Sequence, residues 1–324
     1  MSETQTSLAD LQFVPPGLER LPEVFQLYER AFGTAIDPAL WEWKFGQGRG
    51  LGVLALKADQ VIAHYGGIVR QVLFDGNSGQ ALMPADVMVA PEHRGVLTRN
   101  GVMQRTARFL FERNLGEGRA CRLAVGFPTR RHRLLGEKLG LYEDGGALRE
   151  LVWPVASQRR WSELGLRVQV LDGIGQMEWC AAAWSMMRED LAHHVVGVRD
   201  AQWLAHRYGR HPFKRYQVLG VAGGFGAFKL GVAVLHEAEG EAECLDLMTT
   251  RSRMPLLIRA LQGWMRERHL TVLRMWVNEP FVAGLLTRDT QVLDRDMRMT
   301  VTTGARSRAY AQRWWVSAGD TDFR

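Results

Sequence analysis

The stretch Ala85-Asp86-Val87-Met88-Val89-Ala90-Pro91-Glu92-His93-Arg94-Gly95 decides how the first half of this chain is read. Its apolar alternation is strand-like, Pro91 ends it, and an Arg94-Gly95 turn comes directly before a helical pattern. A junction of that kind turns unpaired backbone N–H groups and the positive end of a helix dipole toward whatever occupies the turn. Such a turn can cradle a phosphate.

Working outward, residues 18–32 carry Leu21, Val24, Phe25, Tyr28 and Phe32 at helical spacing, with Pro22 tolerable in the first turn. Residues 53–57 and 61–69 are β-rich runs joined by Ala58-Asp59-Gln60, a hairpin pattern. Asp75 to Gly79 is a turn cluster, and 82–89 is the next strand. From 100 to 115, Val102, Met103, Thr106, Ala107, Leu110 and Phe111 form one apolar helix face, with Gln104, Arg105, Arg108 and Glu112 opposite. A strand over 122–127 follows, then a short helix that Thr129 is placed to cap and Gly140 to stop. This order differs from the strict alternation of a doubly wound parallel sheet and predicts an α+β class.

The two segments 85–95 and 123–142 together resemble the GNAT superfamily of N-acyltransferases. That family writes a strand, Pro-x-x-Arg-Gly-x-Gly, a helix, a further strand, and a helix ending in text like Leu139-Gly140-Leu141-Tyr142. The resemblance implies that the strand residues Val87, Met88 and Val89 hold the pantetheine and acyl oxygen of an acyl-CoA. It also implies that Arg94, Gly95, Val96, Thr98 and Arg99 hold the pyrophosphate, with Thr129 a further donor. Acetyl-CoA, or another acyl-CoA, is thus the expected co-substrate, and a small amine or amino sugar the expected acceptor.

The text departs from the family in three places. The second loop glycine falls on Leu97, although Gly101 stands further on; the asparagine after the strand falls on Thr129; and the general-acid tyrosine falls on Gly136. Glycine cannot protonate a thiolate. Either another residue does so, the thiolate leaves unassisted, or this half transfers no acyl group. Candidate acid–base residues are Asp86, on the strand before the cofactor segment, and His64 and Tyr65, of which alternation turns only one inward.

Residues 37–46 match residues 200–209, from Asp37 through Lys44-Phe45-Gly46 and from Asp200 through Arg207-Tyr208-Gly209. Both lead into strand text, so a duplication of about half the chain is expected. The implied division is 1–156, with the acyl-CoA motif, and 157–324, a degenerate copy. Each is expected to be a GNAT-like domain with a mixed, mostly antiparallel sheet flanked by helices. In the second copy Arg251-Ser252-Arg253-Met254-Pro255 replaces the cradle, with no glycine for a pyrophosphate to approach.

Composition narrows the classes. With 324 residues, 46% apolar and 23% charged, the chain suits two globular domains. Cys121, Cys180 and Cys244 are scattered singly, which indicates reduced thiols and no metal framework. No apolar run reaches membrane-span length and no signal-like N-terminus is present, so a cytoplasmic address follows by default. The net charge of +6 comes from arginines spread along the chain, which argues against a nucleic-acid partner. Oligomeric state is not legible. Two other readings stay open: a non-catalytic CoA-binding or scaffold protein, and a transferase using an aminoacyl donor.

Overall fold

The computed structural model describes residues 11–94, 101–158 and 161–322. By contacts the chain divides into two units. The first is Met1–Gln71, Gly79–Asp144 and Thr300–Arg308; the second is Val72–Ser78, Gly145–Met299 and Ala309–Arg324. Residues 145–156 thus lie with the second unit, and short segments are exchanged in both directions.

The first unit is built from β1 (Gln12–Val14), α1 (Leu21–Phe32), α2 (Pro38–Phe45), β2 (Gly50–Lys57), β3 (Gln60–Phe74), β4 (Asn77–Val89), α3 (Val102–Asn114), β5 (Leu123–Gly126) and α4 (Arg130–Leu139). Both hairpins turn on two consecutive residues with positive φ, Ala58-Asp59 and Asp75-Gly76. Such turns match the twist of the strands they join. β1 and β3 flank β2 antiparallel, β4 neighbours β3, and β5 joins β4 in parallel. Helices cover both faces. Val24, Leu27 and Trp41 from α1 and α2 pack with Leu54 and Met88 on one face. Ala107 and Leu110 from α3 pack with Leu139 of α4, Tyr65 and Leu82 on the other.

One expectation for α3 needs correcting. Gln104 belongs to the buried face, where its Nε2 donates to the Leu139 carbonyl at 2.8 Å and caps the last turn of α4. A carbonyl at a helix end has no intrahelical donor, so a polar residue on an apolar face is the better fit there.

The chain continues through β6 (Tyr142–Pro154) into β7 (Arg167–Val170), α5 (Gly173–Asp190), β8 (Val195–Gly197), α6 (Ala201–Leu204), β9 (Gln217–Gly223), β10 (Phe228–Ala238), β11 (Glu241–Met248), α7 (Met254–Arg266), β12 (Val272–Asn278), β13 (Gln291–Thr302), α8 (Ala305–Ala311) and β14 (Trp314–Trp315). In the second unit β9, β10 and β11 are antiparallel and β12 joins β11 in parallel. The series α2-β2-β3-β4-α3-β5 therefore recurs as α6-β9-β10-β11-α7-β12. Both series open on an aspartate N-cap: Asp37 accepts from the Ala39 N–H at 2.7 Å, and Asp200 from the Trp203 N–H at 2.8 Å. The fold is α+β, with two GNAT-like arrangements of a mixed sheet flanked by helices. The three cysteines are buried and free.

Candidate functional site

In the first unit the site begins where β4 and β5 part. Their parallel register is Ala81 with Leu123 and Leu82 with Ala124, and there it stops. Pro84 follows, a residue with no N–H to continue a ladder. Two residues on, Asp86 adopts φ of 49°, the left-handed region that an aspartate tolerates better than most side chains. This bulge inverts the alternation of β4. Leu82 faces α3, whereas Met88, six residues later, faces α1 and α2. Val87 and Val89 then lie on the α3 side, partly buried. β4 continues to Val89 and, through Ala90 N–H to the Ile62 carbonyl at 2.8 Å, stays tied to β3.

His64 and Asp86 meet across this bulge. The His64 Nδ1 lies 2.9 Å from the Asp86 carbonyl oxygen. A carbonyl only accepts, so Nδ1 carries the hydrogen and Nε2 the lone pair. Nε2 makes no hydrogen bond to the described residues. Burial depresses the imidazole pKa to about 4 against the pull of that carbonyl, so the ring is neutral at pH 7. Its position is set by α2, whose Trp41 and Phe45 rings lie 5.5 and 6.1 Å away between centroids. Two glycines make room for it: a Cβ at Gly52 would stand 3.3 Å from Nε2, and one at Gly66 2.7 Å from it. The third α2 residue on this face is Lys44, whose Nζ lies 3.1 Å from both carboxylate oxygens of Asp86. Both side chains are largely buried, which ties the bulge to the helix.

Tyr65 points the other way. It sits in the α3 core against Phe111, and burial raises its phenol far above the ordinary range. Alternation did separate His64 from Tyr65, but helices cover both faces and both residues are buried. Arg94 is exposed, and its guanidinium donates to the Val89 carbonyl at 2.8 Å and the Ala31 carbonyl at 2.9 Å. These bonds tie Arg94 to the end of β4 and to α1. Gly95, Val96, Thr98 and Arg99, with Leu97, lie outside the described residues. Thr129 occupies the N-cap position of α4, with no side-chain capping bond.

Gly136 has a structural counterpart that sequence reasoning missed. A Cβ there would fall within 3.0 Å of the Tyr142 ring, which fills that space from beyond the helix end. The Tyr142 hydroxyl donates to the His132 carbonyl at 2.6 Å, and burial pushes its pKa up to about 12. The signal was a glycine inside a helix with an aromatic residue just past its Gly140 cap.

The second unit repeats the parting of strands and fills it. β11 and β12 stay in register as far as Cys244 and Met275. The C-terminal segment then enters: Ser317 bridges to Val277, and Asn278 bonds the Val316 N–H at 3.1 Å and the Trp314 carbonyl. Arg199, fully buried, ties this segment down through Asp246 at 2.7 Å, Asp320 at 2.6 Å and the Ser317 hydroxyl at 3.1 Å. Burial opposes its charge, but the two carboxylates more than offset that and raise its pKa. Arg207 adds bonds to the Gly319 and Thr321 carbonyls, and Tyr208 donates to Asp246. At the turn before α7 the Arg251 N–H is also taken, by the Asp190 carboxylate at 2.9 Å.

Comparison with known proteins agrees with this geometry. The family model for the GNAT acetyltransferase domain matches residues 16–134. No curated protein matches the sequence. Among solved structures, a conserved protein of unknown function from Enterococcus faecalis V583 is 14% identical with a TM-score of 0.67, over 90% of this chain and 72% of that one. A GCN5-related N-acetyltransferase from Kribbella flavida is 19% identical with a TM-score of 0.63, over 90% and 70%. A tandem GNAT protein from the clavulanic acid biosynthesis pathway is 11% identical with a TM-score of 0.54, over 90% and 98%. At these identities the structural likeness is one of fold. Residues 16–134 thus match the family's acetyltransferase domain, and the chain as a whole shares the fold of a tandem GNAT protein.

Proposed function

We propose that the first unit is an acyl-CoA-dependent N-acyltransferase, moving an acetyl or similar acyl group to a small amine or amino sugar. The observation that carries this reading is the parting of β4 and β5 at Pro84, beside the bulge at Asp86 and next to a neutral buried histidine. In this reading the pantetheine lies along Val87, Met88 and Val89, where backbone N–H groups polarise the thioester carbonyl. Gly95, Val96, Thr98 and Arg99 take the pyrophosphate, with Arg94 just before them and Thr129 lending a hydroxyl at the head of α4.

His64 supplies the proton chemistry. As the amine nitrogen bonds to the acyl carbon its N–H becomes acidic, and the Nε2 lone pair receives that proton. The resulting imidazolium, of pKa about 4, then gives the proton to the leaving thiolate, whose thiol is a far weaker acid. The carbon–sulfur bond breaks as the amide forms. The Asp86 carboxylate, held by Lys44, positions the bulge rather than taking the proton, and Tyr65 remains a core residue. A hydroxyl at 136 is not required by this route.

The second unit binds no CoA in this reading, because its strand parting and its α7 turn are filled by the protein's own groups. Calorimetry with acetyl-CoA should give one site per chain, and Gly95→Val should weaken it at least tenfold. Thiol release with an amine panel should fall at least a hundredfold in His64→Gln while CoA affinity holds. Two equal CoA sites, or undiminished turnover in His64→Gln, would refute the assignment. Tight CoA binding with no thiol release from any amine would instead support the non-catalytic reading, which the space-filling Tyr142 at Gly136 favours.

A further inference from the structure

The second unit holds a cavity of about 260 Å³ that the acyl-transfer reading does not use. It lies at the start of α7 and is lined by His194, Arg251, Met254, Phe281, Arg313 and Trp315 among others. No carboxylate lines it among the described residues. The volume is below the roughly 300–1,000 Å³ of pockets for drug-sized molecules, so its occupant is small.

Two residues of its lining each carry a polar atom that is left over. Trp315 is fully buried, and its Nε1–H, which can only donate, has no acceptor in the protein. The His194 Nδ1 is likewise buried and without a partner. The Arg251 guanidinium, also a pure donor, lies 3.5 Å from the other ring nitrogen, Nε2. Nε2 is therefore the acceptor, and the hydrogen sits on Nδ1. Burial, then the charges of Arg251 and Arg313, lower the His194 pKa and keep the ring neutral. The Phe281 ring packs near both rings, its centroid 5.4 Å from that of His194 and 5.2 Å from that of Trp315.

Buried N–H groups nearly always find an acceptor. Here two of them belong to residues that line one cavity, with Arg251 and Arg313 in the same lining and Met254 and Phe281 as apolar wall. The guanidiniums are fixed from behind. Arg251 Nε donates to Asp190 at 2.9 Å, and Arg313 Nη2 donates to Asp75 at 3.2 Å. They give the cavity a positive wall without being free to wrap a multiply charged group. A dianionic phosphate would leave oxygens unserved, whereas a carboxylate has two oxygens for two N–H donors.

We propose that this cavity binds a small organic carboxylate, its oxygens accepting from Trp315 Nε1 and His194 Nδ1 and its apolar body resting on Met254 and Phe281. The site is independent of the acyl-transfer reading, since every residue involved belongs to the second unit. Its ligand is an effector or a carboxylate-bearing substrate group rather than the acyl donor.

The test uses the full-length chain labelled with ¹⁵N at tryptophan and histidine, and benzoate as the probe. One indole N–H resonance, the one missing from Trp315→Phe, should shift saturably with benzoate and remain still with benzyl alcohol. His194→Phe, a substitution on a partly exposed ring, should weaken benzoate binding roughly tenfold or more. That is the scale of one hydrogen bond to a charged acceptor. Trp315→Phe should do the same if it folds; the shift in the parent and the His194→Phe titration decide the matter if it does not. An indole signal that benzoate leaves unmoved would overturn the proposal. So would His194→Phe binding benzoate as the parent does, inorganic phosphate saturating the site equally well, or CoA displacing benzoate from it.

Discussion

Replacing Gly66 by alanine puts a methyl group where the His64 ring already is. The new Cβ would stand 2.7 Å from Nε2 and nearer still to Cε1, well inside van der Waals contact. The ring has nowhere to retreat, since Trp41 and Phe45 pack against it and Nδ1 is bonded to the Asp86 carbonyl. Overpacking of this kind costs about 1–3 kcal/mol, and stranding a buried hydrogen-bonding group about another 1–3 kcal/mol. The expected loss is therefore about 2–6 kcal/mol, or roughly 5–20 °C in melting temperature for a unit of some 150 residues. Gly67→Ala is the matched control. Its Cβ meets Leu82 at 2.6 Å and the Met83 carbonyl at 2.9 Å on the opposite face, away from the histidine. It should cost the overpacking alone. Thermal unfolding of both variants, with the ¹⁵N signals of His64 as the local readout, separates the two effects. Only Gly66→Ala should disturb the Nδ1–H tautomer, and thiol release from acetyl-CoA should fall with it. Equal melting temperatures for the two variants, with His64 signals unchanged in both, would refute the picture of a histidine locked between glycines and the Asp86 carbonyl.

The buried His64 also makes stability depend on pH. Its folded pKa of about 4 lies below the ordinary value of 6.5, so the unfolded chain gains a proton first as pH falls. From His64 alone, stability is full above about pH 6.5, declines toward pH 4 by roughly 3 kcal/mol, and then levels off; denaturant titrations should show that decline as the difference between the parent and His64→Gln. Gly136→Ala should drive out the Tyr142 ring and its bond to His132, costing about 2–4 kcal/mol by overpacking and the lost bond. In a Tyr142→Ala background the same change should be nearly neutral, and additive losses would count against the shared space. Asp320→Ala removes one of two carboxylates on the buried Arg199 and should destabilise the second unit by about 3–5 kcal/mol. An unfolding free energy within 1 kcal/mol of the parent would mean that the C-terminal segment is not held there.

Much of the architecture was legible because it rests on local rules. The hairpin at Ala58-Asp59 and the cap at Gly140 are short-range chemistry written in neighbouring residues. The bulge at Asp86 was not. Both faces of β4 are covered by helices, so its residues are apolar on both sides and a slip of phase leaves no mark in the hydrophobic pattern. Asp86 was therefore read as a strand residue and a candidate acid–base group, while its backbone carbonyl is what orients His64 and its carboxylate is engaged by Lys44.

What fills the second unit was hidden for a different reason. Arg251 to Pro255 showed that a cradle was missing, but not that Asp190, about sixty residues earlier, supplies the anion at that turn. Nor could spacing reveal that Ser317 and Asp320 reach back to Asp246 and Arg199 more than seventy residues away. These contacts explain why the repeated text at 200–209 survives where no cofactor is expected. Lys44 and Phe45 in the first unit serve Asp86 and His64; their counterparts Arg207 and Tyr208 serve the C-terminal segment and Asp246. The same helix face, with a longer cation and an added hydroxyl, holds the protein's own chain. If that segment is what keeps the motif, then Arg207→Lys, which shortens the reach to the Gly319 and Thr321 carbonyls, should loosen the segment without touching the first unit. Hydrogen exchange should then quicken at residues 314–321 and stay unchanged at β4. Unchanged exchange over 314–321 would mean that the repeat persists for some other reason.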